Sequence, residues 1–202
     1  MSAAVGVDGC RAGWVAASDD GVELHATFSD LLSAHPRARI AVDMPIGLLD
    51  APRAGGRPCD TAARALLSPR GACVFSPPTR ITLGARSFAE PKGLSLQCYH
   101  LLPKLREVDA AVTPTLQKRV RESHPELAFA RLAGGPLAPK RTAEGRRQRE
   151  RLVGKAPRVV GAKPDDVLDA LVLARVAKEG HPFVVGGERD ARGLRMEILS
   201  FA

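Results

Sequence analysis

The apolar positions of the first forty-odd residues come in short runs, two of which stop on an acid. Ala4-Val5-Gly6-Val7 ends at Asp8, and Ile40-Ala41-Val42 ends at Asp43. The pattern predicts a strand over residues 4–7, a return strand over 13–17 after Gly9-Cys10-Arg11-Ala12, and a third over 22–27 after Asp19-Asp20-Gly21. Phe28, Leu31, Leu32 and Ala34 have helical spacing. With Ser29 as cap and Pro36 just beyond, they predict a helix over 28–35. A buried strand follows over 39–42. Three meandering strands and a helical crossover place the fourth strand parallel to the first and beside it. Asp8 and Asp43 are then expected at the same end of neighbouring strands, where α/β folds keep their ligand sites.

Residues 45–114 break this rhythm with frequent Pro, Gly and Arg, interrupted by helical patches at 60–67 and around 94–105. This stretch reads as an insertion on the functional side of the sheet, within a single domain spanning 1–202. Strand character resumes over 117–122, followed by a short helix over 125–132 and a basic helix over 142–152. Residues 165–179 carry the clearest helical pattern: Pro164 suits the opening, acids crowd the first turn, and Val167, Leu168, Leu171, Val172 and Val176 form an apolar stripe. The tail, 183–201, predicts an edge hairpin.

Composition narrows the function classes. Apolar residues make up 45% of the 202, enough for a core, whereas aromatics are only 4%. Base stacking on an aromatic platform is a poor candidate for binding nucleic acid. The net charge of +8 is concentrated: residues 140–163 hold nine Lys or Arg against Glu144 and Glu150. Such a patch suits a polyanion, or else a solvated helix that keeps the chain soluble. Cys10, Cys59, Cys73 and Cys98 show no metal spacing and fit free thiols in a reducing cytoplasm. No apolar run is long enough to cross a membrane.

The acids carry the candidate chemistry. On a helix over 165–179, Asp169 shares a face with Asp165 and Asp166, and it lies a turn too deep to be explained by the helix dipole. His124-Pro125-Glu126 ends the later strand and adds a carboxylate and an imidazole. Taken singly, each has a plain alternative in a turn or a cap. Gathered in one cleft, these like charges require a cation, and an all-oxygen site favours Mg²⁺ or Mn²⁺. Candidates to address phosphate are Arg80, Lys104, Arg106, His124, Lys140 and Arg149, although structural ion pairing explains any one of them equally well. No Walker loop, Gly-x-Gly-x-x-Gly or Gly-x-Ser-x-Gly occurs.

Several blocks then become recognisable: Val5 to Trp14, Val42-Asp43-Met44-Pro45-Ile46-Gly47, Cys59 to Arg64, Val74 to Arg80, Pro103 to Asp109, Glu122-Ser123-His124-Pro125-Glu126, and Asp165 to Ala170. Together they resemble the signature blocks of an uncharacterised bacterial family of predicted nucleases with a ribonuclease-H-like fold, on the RuvC/YqgF-like branch. The resemblance implies a five-stranded mixed sheet flanked by helices. It also implies that Asp8 is the first-strand catalytic acid and that Asp43 is the acid ending the fourth strand, where RuvC-like resolvases carry Glu. Asp166 and Asp169 match the paired acids of the last helix, and Glu126 falls in the family's own His-Pro-Glu block.

The expectation is a Mg²⁺- or Mn²⁺-dependent nuclease acting on DNA or RNA. Asp8 would bridge the metals, Asp43 and Asp166 would complete the ligands, and Asp169 or Glu126 would give secondary coordination. A homodimer is possible. Two alternatives stand beside it: a nucleic-acid-binding module without catalysis, and a nucleotide-binding phosphotransferase of the actin and sugar-kinase type.

Overall fold

Side-chain alternation along the first strand divides the protein into two halves. In the computed structural model, which describes residues 3–88, 95–179 and 182–202, β1 spans Ala4–Cys10 and pairs antiparallel with β2 (Gly13–Ser18). Val5 and Val7 face one side, in a core shared with Trp14 and Ala16 of β2, Phe28 and Leu31 of α1 (Phe28–Ala34), and Leu102, Leu105 and Val108 of α3 (Leu96–Ala111). Ala4, Gly6, Asp8 and Cys10 face the other side. There α6 (Pro164–Lys178) lies across the sheet, packing Val167, Ala170 and Ala174 on Cys10, Val15 and Ala17.

β3 (Gly21–His25) is antiparallel to β2, while β4 (Arg39–Val42) and β5 (Val120–Glu122) run parallel to β1, giving the order β3-β2-β1-β4-β5. This α/β arrangement, with three antiparallel strands followed by parallel ones, is consistent with a ribonuclease-H-like fold. Val7 pairs with Val42, and Asp43 N donates to Val7 O at 2.9 Å, so Asp8 and Asp43 leave their strands side by side.

The elements differ from expectation in detail. Thr27, not Ser29, caps α1: its hydroxyl accepts from Asp30 N while the Asp30 carboxylate accepts from Thr27 N, a reciprocal box that leaves Phe28 free to bury. The expected strand over 117–122 begins only at Val120. Leu116–Lys118 form a 3₁₀ turn, because the buried Gln117 side chain exchanges hydrogen bonds with the Arg195 backbone. The helical patch around 94–105 continues to Ala111, burying Leu105 and Val108 beyond Pro103; residue 94 lies outside the described residues. Upstream, α2 (Pro58–Leu66) and the 3₁₀ turns Gly71–Cys73 and Ile81–Gly84 occupy the rest of the segment.

α4 (Pro125–Ala133) and α5 (Ala143–Val153) precede α6, and the tail forms β6 (Phe183–Arg189) paired with β7 (Arg195–Ser200). A single parallel bridge, Ser123 to Leu199, joins this hairpin to the end of β5. Among the described residues no helix is long and apolar enough to cross a membrane.

Candidate metal centre

Three elements deliver the acids. Asp8 stands near the end of β1, its Oδ1 accepting from Gly9 N at 2.7 Å, and Asp43 follows β4 directly. On α6, Pro164 opens the helix without wasting a donor, and Asp166 accepts from Lys163 N at 2.9 Å. Asp169 comes one turn later on the buried face. The helix descends this far because β1 offers no side chain at Gly6: a Cβ there would sit 2.1 Å from Ala170 O and 2.0 Å from Ala174 N.

Asp8, Asp43, His124, Glu126, Asp166 and Asp169 line one cavity of about 390 Å³, together with Lys140 and Arg70. Burial, reinforced by Asp43, Asp169 and Asp166, holds the Asp8 carboxyl well above the usual carboxylate range. Burial likewise pushes Asp43 up to about 7 against the opposing charge of Lys140. Asp169 rises to about 6 for the same reasons. Burial works against the charge of Lys140, yet Asp169, Asp8 and Asp43 hold it above its ordinary value. Burial keeps His124 below its ordinary value, and its Nδ1 has no hydrogen-bond partner. Perturbations of this kind, shared across a cleft, make these residues functional-site candidates, a pattern that structural ion pairs also produce.

Asp169 is only half satisfied. Lys140 Nζ donates to its Oδ2 at 3.0 Å, but Oδ1 is buried without a partner. Such an orphaned oxygen costs free energy unless something positive meets it. Five carboxylates face this space against Lys140, Arg70 and Arg149, an excess of two negative charges when all are ionised. One divalent cation carries that charge. The donors are all hard oxygens apart from the nearby imidazole, the chemistry that suits Mg²⁺ or Mn²⁺. Among the described residues, however, no three of their ligand atoms lie within 4.8 Å of one another, so the side chains would have to draw in around an ion.

The other expected residues are placed differently. Arg149 is buried and does not face solvent phosphate: it donates to Glu126 Oε1 at 2.5 Å, to Ala138 O at 3.0 Å and to Gly145 O at 2.8 Å. Glu126 is further held by Arg70 at 3.3 Å, so both its oxygens are engaged. Arg80 lies in a separate ion-pair network with Asp190 at 2.6 Å and Asp109 at 3.1 Å. Lys104 donates to Gly13 O at 2.6 Å and stacks over Trp14. Arg106 donates to Leu83 O and Ala85 O, both at 2.5 Å. Glu122, the last residue of β5, is spent on the buried Arg57 at 2.6 Å.

Arg70 was not foreseen. Its side chain lines the cavity, touches Glu126 and donates to Leu137 O. Nothing in its local sequence, Ser68-Pro69-Arg70-Gly71, distinguishes it from the other loop arginines.

Neither a curated protein nor a solved structure matches the chain. The profile of one family, described as "Protein of unknown function (DUF429)", matches residues 6–189, a span that includes every acid of the cavity. The chain belongs to that family.

Proposed function

We propose that the protein is a metal-dependent nuclease that hydrolyses phosphodiester bonds of DNA or RNA on a ribonuclease-H-like fold. The observation that carries this reading is the orphaned Oδ1 of Asp169 within a cavity also lined by Asp8, Asp43 and Asp166. Asp8, Asp43, Asp166 and Asp169 would hold the metal. When bound, Mg²⁺ or Mn²⁺ supplies a Lewis acid that activates water and steadies the leaving oxygen. The chain's own groups do the rest. Arg149 and Arg70 fix Glu126, which orders the wall beside the metal ligands. Lys140, half exposed and paired with Asp169, would meet a backbone phosphate. On this reading residues 45–114 are an insertion whose Arg70 turn closes one side of the cavity. The four free cysteines support a reducing cytoplasm as its compartment.

A second reading is favoured by the same lysine. Lys140 already supplies a positive charge to Asp169, where a metal would otherwise be needed, which favours a nucleic-acid-binding module without catalysis. Cleavage and binding assays of the wild type, with Asp8→Asn as the site control, separate the two. We expect the wild-type chain to cleave single- or double-stranded DNA or RNA in Mg²⁺ or Mn²⁺, and Asp8→Asn to remain folded and inactive. Cleavage retained by Asp8→Asn rules out the active-site assignment; binding without cleavage by the wild type establishes the second reading.

A further inference from the structure

The opposite face of the sheet carries a second cluster of ligating groups. Glu23 and His25 lie two residues apart on the edge strand β3, so their side chains share a face. Their register partners are Ala16 and Trp14, which pack in the core beneath α1, away from Asp8. His35, the residue that ends α1, completes the group. Glu23 Oε2 lies 3.3 Å from His25 Nε2 and 3.8 Å from His35 Nε2, and one ligand atom from each residue lies within 4.8 Å of the others.

Both Nε2 atoms are buried and neither makes a hydrogen bond. The rings meet edge to face at 5.6 Å, and both Nε2 atoms lie near the same carboxylate oxygen. Two buried imidazole nitrogens turned to one carboxylate without a hydrogen bond are costly unless a partner such as a cation meets them. A tetrahedral zinc ion with bonds of about 2.0–2.1 Å sets its donors about 3.4 Å apart, near the 3.3 Å and 3.8 Å that separate the carboxylate from the two imidazoles. The glutamate, 55% exposed, can close the remaining gap and leaves a fourth position open to water.

We propose that Glu23, His25 and His35 form a transition-metal site of the two-imidazole, one-carboxylate kind, suited to Zn²⁺ and distinct from the hard-cation cavity on the other face. Imidazole nitrogen selects zinc-class ions over Mg²⁺. The ion ties the edge strand to the end of α1 and satisfies both histidines.

Co²⁺ serves as the visible probe and Zn²⁺ as the competitor, on the full chain. One equivalent of Co²⁺ is expected to give the intense bands of a low-coordinate, nitrogen-ligated ion, displaced by Zn²⁺. Glu23→Gln, His25→Gln and His35→Gln should each weaken Zn²⁺ binding by about tenfold or more. Asp8→Asn should leave it unchanged, which separates this site from the nuclease reading. Because Glu23 is exposed, its variant tests the site even where a histidine variant fails to fold. Unchanged spectrum and affinity in Glu23→Gln and His35→Gln would overturn the proposal.

Discussion

Gly6 and Ala170 meet main chain to main chain: a Cβ on Gly6 would lie 2.1 Å from the Ala170 carbonyl oxygen. The contact sets how closely α6 approaches β1, and therefore how far Asp169 reaches over Asp8. Gly6→Ala should lower stability by about 1–3 kcal/mol, because peptide groups cannot step aside as a flexible side chain can. Urea denaturation measures the loss. The same variant should bind Mn²⁺ more weakly than the wild type, whereas an equally destabilising change far from α6 should not.

The raised carboxyls predict a pH dependence with a definite sign. An acid whose folded pKa exceeds its unfolded value contributes stability at low pH and loses it as pH rises through the folded pKa. For Asp43, about 7, and Asp169, about 6, against an ordinary 3.8, that contribution disappears between about pH 4 and pH 7. Thermal melts of the metal-free protein should therefore show this contribution falling from pH 5 to pH 8. Mn²⁺ should raise the melting temperature strongly at pH 8 and little at pH 5, since its ligands must be ionised. A Mn²⁺ effect equal at both pH values would count against the carboxylates as its ligands.

Arg57 is buried between Asp60 and Glu122, bonded to each at 2.6 Å, and also donates to Ile46 O and Gly47 O. Burial pushes Glu122 up to about 7 even against this arginine. Arg57→Ala strands two carboxylates in the interior and should cost about 3–5 kcal/mol. Arg57→Lys should recover little, because a single ammonium cannot reproduce the forked bonds. Chemical denaturation of both variants checks the pair.

Lys140→Ala removes the cation nearest the acids. Divalent-ion affinity should rise several-fold, as the carboxylates lose a competitor for their charge. Nucleic-acid affinity should fall, and the slope of its logarithm against the logarithm of salt should shrink by about one. Titrations of metal and of labelled oligonucleotide test the two halves separately.

Much of this arrangement was readable in the chain because it rests on local pattern. Asp8 and Asp43 each close an apolar run, and strand order alone brought their ends together. Asp169 stood out because no capping role reaches so deep into a helix. The tertiary partners were hidden. Arg149 was expected to address phosphate from the basic helix, yet Arg146, Arg147 and Arg151 pair with Glu150 and Glu144 at the surface while Arg149 turns inward. The one local clue is Gly145, a turn earlier, which lets the helix press on the carbonyls of Ala138 and Pro139. Arg80 and Arg106 seemed free for phosphate because their partners, Asp190 and the Leu83 carbonyl, are distant in sequence. His35 and Glu23 meet only once α1 has folded back over the edge strand.

The alternation along β1 has a consequence for errors in folding. A slip of one residue between β1 and β2 would carry Asp8 into the layer of Trp14 and Phe28 and turn Val7 out beneath Asp169. The same slip passed on to β3 would bring Leu24 beside His35 and carry Glu23 and His25 together to the far side. Misthreaded chains thus forfeit both clusters and the greasy interior at a stroke, so assembly polices its own accuracy.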